Sequence, residues 1–381
     1  MKIVLVDSAY RGLLEKLCLL TGPPNYSLSY EEAANKVEES AFGAFPLYAK
    51  YLRELGHEVE FVTPNNRHAQ LMWARRDNLR MSLSKHPLLF SHWEWFSRIP
   101  TVGSLVQKIF PVGRILEHQL LRAGADLVLV GDLSLLSASQ IRRIKKLTGA
   151  VVFGQIAAPL PSKNHYKSYD LIFSAHPGIV SSLQRQNVAA RYLPLAFGEP
   201  DGIEEPLPFD DRRHTAAFIG SFGLHHRVNY QLLAALKESC PDIEIYGNPN
   251  RRKLASMGLE GNYKGRVFGK EMLEIYGRVK VGINRHARFA DRFAVNMRMF
   301  EVTGRGAVLL TESFENLSDL FPKGALVAYS SPESAAELLK RLLNGRLSGK
   351  EISSLGMTTT HTQHTYMKRS LEILEEFEAR K

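Results

Sequence analysis

Asn296-Met-Arg-Met-Phe-Glu-Val-Thr-Gly-Arg-Gly-Ala-Val-Leu-Leu-Thr-Glu312 is the stretch that decides the fold. Met297, Phe300 and the Val302/Thr303 edge recur at helical spacing, and Gly304 and Gly306 stop the helix. Ala307 to Leu310 is then an uninterrupted apolar run, the pattern of a strand buried on both faces of a parallel sheet. A short helix feeding such a strand is one half of an α/β repeat. Asn296, Arg298 and Glu301 are the polar residues of this segment. Taken alone they fit a solvated helix face as well as the wall of a site.

The same alternation runs outward in both directions. Lys2 to Val6 is an apolar strand, and Ala41 to Leu55 an amphipathic helix capped by Gly56. Glu58 to Thr63 returns as a strand, so the first sheet is parallel. Strands follow at 125–131, 150–153 and 170–174, with helices at 137–147 and 176–186. After the linker, strands at 215–219, 243–246, 280–284 and 326–329 alternate with helices at 227–238, 272–279 and 332–343. Residues 198–213 hold three prolines, two glycines and six acids, the composition of a linker. The expected organisation is therefore two doubly wound α/β domains. The first spans 1–200 and carries a helical basic insertion over about 66–122. A linker covers 201–213, the second domain 214–360, and a last helix in 361–381 packs back on the first domain.

Composition narrows the function classes. The 381 residues are 44% hydrophobic and 23% charged, as in an ordinary globular chain. Two cysteines without CxxC spacing suggest a reducing compartment and no zinc site. The N-terminal apolar run is too short for a signal peptide, and no run of eighteen apolar residues occurs. The chain is expected to be cytoplasmic. A net charge of +10 leaves nucleic acid, anionic membrane and phosphorylated small molecules as partners. No helix-turn-helix, RNP motif or Cys/His finger supports the first. Between Arg67 and Arg122, nine Lys/Arg face three acids and are interleaved with aromatic residues. That suits peripheral contact with a membrane surface as well as an ordinary helical insertion.

The chemistry-bearing residues fall just after strands, where open α/β sheets bind ligands. Gly220-Ser221-Phe-Gly223 before a helix offers N–H groups and a helix dipole to a phosphate, with Arg227 adding a charge. It is equally a tight turn. Asn284 and His286 follow one strand of the second half, and Asp132 and His176 follow strands of the first. No Walker sequence, no Gly-x-Gly-x-x-Gly after the first strand and no Gly-x-Ser-x-Gly elbow is present. A nucleotide sugar fits this distribution. A carboxylate accepts hydrogen bonds from ribose hydroxyls, while glycine turns and a cation neutralise the diphosphate.

Asn284-x-His286, Asn296-Met-Arg-Met-Phe-Glu301-x-Thr-Gly-x-Gly-x-x-Leu-Leu-Thr311, Tyr329-Ser-Ser-Pro-Glu333 and His364-Thr-Tyr366-x-x-Arg369 together resemble a known family. It is the CgeB-like, spore-maturation-protein-like "glycosyl transferases group 1" family of bacteria. Phe218-Ile-Gly-Ser221, Gly265-Arg-Val-Phe-Gly269, Asn65-Asn-x-x-x-Gln70-x-x-Trp73-Ala74 and Asp170-Leu-Ile-Phe-Ser-x-His-Pro177 fit the same pattern. The resemblance implies a GT-B fold, two Rossmann-like domains facing across a cleft, and a nucleoside-diphosphate-sugar donor bound by the second. Glu301 stands where the family's Glu binds the ribose, and Asn296, Arg298 and Asn284 line the donor site. Arg227, Arg266 and Lys270 are the candidate cations for the departing diphosphate, and no metal or cofactor is needed. The acceptor is a saccharide or a lipid-linked one, in surface or spore polysaccharide synthesis. Asp132 or His176 would serve an inverting enzyme as base, and His286 is the nearest candidate at the transferred sugar. Related retaining enzymes carry a second Glu eight residues before the first, where this chain has Phe293. Retention is slightly favoured. A nucleotide-sugar epimerase or hydrolase, or a non-catalytic sugar-nucleotide-binding protein, is the alternative on the same fold.

Overall fold

The computed structural model describes residues 1–19, 28–77, 112–161, 165–222 and 229–381. Gly223, Arg227 and residues 78–111 of the expected basic insertion lie outside them. The chain forms two compact units. One comprises residues 1–174, 178–192 and 370–381, and the other residues 175–177 and 193–369.

Six parallel strands make the first sheet: β1 (Lys2–Val6), β2 (Glu58–Val62), β3 (Leu127–Val130), β4 (Val151–Ile156), β5 (Leu171–Ser174) and β6 (Ala190–Tyr192). Their order is β2-β1-β3-β4-β5-β6. Six more make the second sheet: β7 (Arg213–Gly220), β8 (Glu244–Gly247), β9 (Tyr263–Gly265), β10 (Val279–Asn284), β11 (Val308–Glu312) and β12 (Val327–Tyr329). These run in the order β12-β11-β10-β7-β8-β9, again all parallel. In both sheets the order doubles back on either side of the first strand, the doubly wound arrangement that covers each face with helices. Interior strands are therefore continuous apolar runs, such as the fully buried Leu127–Val130.

Helix starts carry their own signals. Ser29 with Glu32, Ser137 with Gln140 and Ser331 with Ser334 form capping boxes, and Pro332 occupies the first turn of the last of these. The segment 296–312 resolves into helix Arg298–Gly304 followed by β11, in the interior of its sheet between β10 and β12. That helix lies close on its neighbours because two glycines make room. A Cβ on Gly282 of β10 would stand 2.5 Å from Val302 Cγ1, and one on Gly304 would stand 2.5 Å from the Phe197 ring. Gly282→Ala is therefore expected to push the helix outward and cost about 1–3 kcal/mol, the usual range for overpacking. A lower urea midpoint with an unchanged m-value is the readout.

A second helix that the sequence pattern does not announce, Gly349–Gln363, holds the first from the other side. Thr360 Oγ1 lies 2.6 Å from Thr303 Oγ1, Ser353 Oγ donates to the Gly306 carbonyl at 2.7 Å, and His361 Nε2 lies 2.9 Å from the Gly304 carbonyl. The final helix, Tyr366–Glu378, belongs to the second unit up to Arg369 and to the first from Ser370. In the first unit, Glu376 pairs with Arg191.

Candidate functional site

β10 and β11 pair with Asn284 opposite Thr311, so the loops leaving them start side by side. Asn284 Nδ2 donates to Thr311 Oγ1 at 2.9 Å, and Tyr329 OH donates to the Asn284 carbonyl at 2.9 Å. Asn296 Nδ2 donates to Asn284 Oδ1 at 2.9 Å, which ties the entry of helix Arg298–Gly304 to the end of β10. The Asn296 side chain also accepts the Met299 N–H at 3.4 Å, from one residue ahead of the helix's N-cap, Met297.

His286 is locked into the same loop. Its backbone N–H donates to Glu312 Oε2 at 3.2 Å, and its Nδ1 accepts the Val295 N–H at 3.3 Å. Its Nε2 lies 3.1 Å from Asn284 Nδ2, and the Phe314 ring stands edge-on at 4.5 Å. The residue is 2% exposed. Burial, with Arg285 adding, pushes its pKa down from 6.5 to about 3, so the ring is neutral. A depressed folded-state value contributes stability that is complete above 6.5 and is lost as pH falls towards 3. Between pH 6.5 and 5 that loss is roughly 2 kcal/mol. His286→Gln is expected to flatten this part of the acid sensitivity, read from urea unfolding at pH 7 and pH 5. The portion due to His364, held down to about 4 chiefly by burial, remains.

Arg285, between the two motif residues, completes the row of strand ends. Its Nη2 lies 3.2 Å from Glu312 Oε1, and its Nη1 donates to Asn229 Oδ1 at 3.3 Å. Asn229 Nδ2 in turn donates to the Ser221 carbonyl at 2.8 Å. One cation thus connects the carboxyl ends of β7, β10 and β11. Gly220 ends β7 beside Gly247 of β8, and Ser221 is exposed at the start of the following loop.

Glu301 is 8% exposed and faces Arg298, whose Nη1 donates to Glu301 Oε2 at 2.7 Å. Burial raises the Glu301 pKa against the lowering effect of Arg298. The guanidinium also meets the Met272 sulfur and lies 5.8 Å from the centre of the Tyr276 ring. The carboxylate is therefore pre-positioned but weakly compensated, the state of a group that gains from further hydrogen-bond donors.

Asn284, His286 and Asn296 are joined directly, and Arg298 and Glu301 lie on the helix that starts just after Asn296. Arg266 is exposed after β9. Lys270 bonds the Gly202 carbonyl of the proline-rich segment. His176 is 7% exposed, and Phe293 stands edge-on to its ring at 5.3 Å. Asp132 belongs to the first unit. Its Oδ1 accepts the Ser134 N–H at 3.0 Å and hydroxyl at 2.6 Å, and its Oδ2 accepts the Ser8 hydroxyl at 3.3 Å.

Two further residues matter here: Arg285, to which the sequence assigns no role, and Asp7, which with Ser8 to Arg11 stands at a strand-to-loop junction where an open α/β sheet places ligands. Arg285 sat unweighed between two motif residues, although a cation directly after a strand is itself a signal. Asp7 follows β1, near Asp132, and burial, aided by that neighbour, pushes its carboxyl up to about 7. Only the position after a strand marks it in the sequence. Among the described residues, no group of His, Cys, Asp and Glu is arranged to hold a metal ion.

A family model described as "Glycosyl transferase-like" matches residues 227–375, which include the whole Asn284–Glu312 network. No match was found among curated proteins. Solved structures resemble the chain over its full length. Sucrose-phosphate synthase from Thermosynechococcus elongatus superposes with a TM-score of 0.62 at 9% identity, covering 100% of this chain and 98% of that one. Anabaena HepE, solved with UDP and glucose, gives 0.61 at 12% identity with 100% of both chains covered. AviGT4, a glycosyltransferase of avilamycin A biosynthesis, gives 0.59 at 12% identity, covering 99% and 97%. The fold is GT-B, and residues 227–375 form a domain similar to those of group 1 glycosyltransferases.

Proposed function

We propose that this protein is a CgeB-like glycosyltransferase that moves a sugar from a nucleoside-diphosphate-sugar donor to a hydroxyl of a saccharide or lipid-linked acceptor. The pathway is synthesis of a bacterial surface or spore polysaccharide. The family match and the GT-B fold support sugar transfer in general terms. The observation that carries the donor reading is the buried Glu301 carboxylate. It is held by Arg298 on a helix whose entry is tied to the strand ends of the second sheet.

In this reading Glu301 accepts the two ribose hydroxyls, and Asn284, Asn296 and His286 fix the loop that carries it. His286 keeps the loop in place, because its neutral ring accepts the Val295 N–H at Nδ1, which leaves the ring proton on Nε2, 3.5 Å from Thr311 Oγ1. Arg285 is the cation best placed to meet the diphosphate as charge develops on the departing group. The Gly220–Ser221 turn supplies backbone N–H groups. With helix dipoles and guanidinium groups in this role, transfer proceeds without a metal. Retention is the favoured outcome, and the transferred sugar lies towards Phe293. The site of action is the cytoplasm, and the segment 67–122 is the candidate for membrane contact through residues other than the buried Arg67, Leu71, Trp73, Ile115 and Leu116. Among the described residues no helix is long and apolar enough to cross a membrane.

Phe293 favours a second reading. A retaining relative's first Glu would stand at this position, and here an aromatic ring packs against His176 instead. That substitution suits a protein that binds the nucleotide sugar without transferring it.

The test is a panel of UDP-, GDP-, ADP- and dTDP-sugars, with and without saccharide acceptors, followed by nucleoside diphosphate release. The expected result is release from one donor that depends on an acceptor and is unchanged by EDTA. Release without acceptor points to a hydrolase, and conversion of the sugar nucleotide without release points to an epimerase. Binding without any release points to the non-catalytic reading, and absence of both removes the proposal.

A further inference from the structure

The acid- and proline-rich segment 199–207 is fastened along helix Lys270–Tyr276, within the second unit. At the start of that helix the Lys270 ammonium group bonds the Gly202 carbonyl. Just past its end, the Leu207 N–H donates to the Gly277 carbonyl at 3.0 Å, and Arg278 Nη2 donates to Glu204 Oε2 at 2.5 Å. The approach is close at Gly277, where a Cβ would stand 3.3 Å from Pro206 Cα. A segment with the composition of a linker is therefore strapped to both ends of one helix.

Arg305 carries this fastening to the donor network. It is 1% exposed and follows helix Arg298–Gly304 as its C-cap, with its backbone N–H donating to the Glu301 carbonyl at 3.3 Å. Its guanidinium reaches three partners: the Leu273 carbonyl of helix Lys270–Tyr276 at 3.3 Å, the Glu199 carboxylate and the Glu204 carbonyl. A rigid planar fork that meets three acceptors fixes them relative to one another. Helix Lys270–Tyr276 also supplies the Met272 sulfur and the Tyr276 ring that meet Arg298, the partner of Glu301. A helix of seven residues such as Arg298–Gly304 has little stability of its own, so its position depends on these contacts. Arg212 adds a second buried guanidinium, bonded to the carbonyls of Leu207, Tyr276 and Gly306. The Glu199 carboxylate offsets the buried charge of Arg305, which would be left uncompensated without it.

We propose that Arg305 is a positioning residue for Glu301, and that the strap 199–207 sets donor affinity through it, with Glu199 as the latch. Arg305 touches no substrate in this account. It holds the turn that carries the Glu301 carboxylate against the helix that aims Arg298. The strap is thereby part of the support of the donor site and not a spacer. The inference rests on the reading of Glu301 as the ribose ligand and adds the groups that act through it. Coupling of this kind is reciprocal: if the strap sets the affinity for a nucleotide on Glu301, the nucleotide must tighten the strap to the same extent. A segment that only stabilises the fold has no such dependence.

Calorimetric titration of the full chain with UDP, GDP, ADP and dTDP, joined to hydrogen exchange, tests it. Glu199→Ala is expected to weaken the nucleotide that binds on the order of 10-fold, and Glu199→Gln, which keeps an accepting oxygen, by less. Lys350→Ala, which breaks the 2.6 Å bond to Asp210 just beyond the strap, is expected to leave affinity unchanged. In the native chain the same nucleotide is expected to slow amide exchange over 199–207 more than over helix Pro332–Leu343 of the same unit. Should Glu199→Ala fail to fold, Glu199→Gln and the exchange measurement decide the matter. Native affinity in the Glu199 variants, an equal loss in Lys350→Ala, or no extra protection of 199–207 overturns the inference while leaving the donor reading intact. No nucleotide binding by the native chain removes the donor reading and this inference with it.

Discussion

Glu301→Ala is expected to lower kcat/KM for the donor sugar nucleotide by about two to four orders of magnitude. The carboxylate is aimed by Arg298 and mostly removed from water, so its bonds to two ribose hydroxyls would be charge-assisted. At about 1.5–3 kcal/mol each, two such bonds correspond to roughly 10²- to 10⁴-fold. The loss should appear in nucleotide binding as well as turnover, because the ribose is held before and during the reaction. The substitution also leaves the Arg298 guanidinium without its anion, which costs about 1–3 kcal/mol of stability. Glu301→Gln separates the two effects, since it keeps an accepting oxygen and the side-chain volume while removing the charge. It should retain most of the stability and only part of the affinity. Because burial raises the pKa of Glu301, donor binding should strengthen as pH rises through it. A thermal melt beside each kinetic run shows whether lost activity is lost fold.

The largest purely structural effect is expected at Gly247, the last residue of β8. Its φ is +142°, and a Cβ there would stand 2.1 Å from the Gly220 carbonyl oxygen. The obstruction is backbone of the neighbouring strand, so no rotamer change relieves it. Strain at such a φ costs about 1–3 kcal/mol, and the overlap a similar amount. Gly247→Ala should therefore destabilise by about 3–5 kcal/mol in urea unfolding. It should also disturb the Gly220–Ser221 turn that β7 presents to the site. Gly261→Ala is the control, because a Cβ there meets nothing within 4 Å and the change should be close to neutral.

The doubly wound plan was legible because parallel strands buried on both faces leave continuous apolar runs. Segment 296–312 reads as helix then strand for that reason, and β11 is an interior strand of its sheet. Helix Gly349–Gln363 was not legible. Its threonines are poor helix formers, and what holds it are bonds to Thr303, Gly304 and Gly306, more than forty residues earlier. The acid-rich stretch 198–213 likewise reads as solvated linker. In the structure Glu199 pairs with the fully buried Arg305, and Arg212 bonds the carbonyls of Leu207, Tyr276 and Gly306. Local composition carries no trace of these partners.

The candidate site divides in the same way. Asn284, His286, Asn296 and Glu301 could be picked out because they follow strands or break a helix face in a recognisable order. Arg285 carries only the weak signal of its place after a strand, since its value comes from Glu312 on the next strand and Asn229 on another loop. Both contacts depend on sheet order. Lys270 illustrates the converse: a cation before a helix looks suited to a diphosphate, yet its ammonium group bonds the Gly202 carbonyl.

The account rests on Glu301 holding the nucleotide of the donor. Calorimetric titration of UDP, GDP, ADP and dTDP into the full chain and into Glu301→Ala measures this directly. One nucleotide should bind the native chain and lose affinity on the order of 100-fold or more in the variant, with both proteins folded. Equal affinity for the two proteins, or no binding of any nucleoside diphosphate to the native chain, would contradict it.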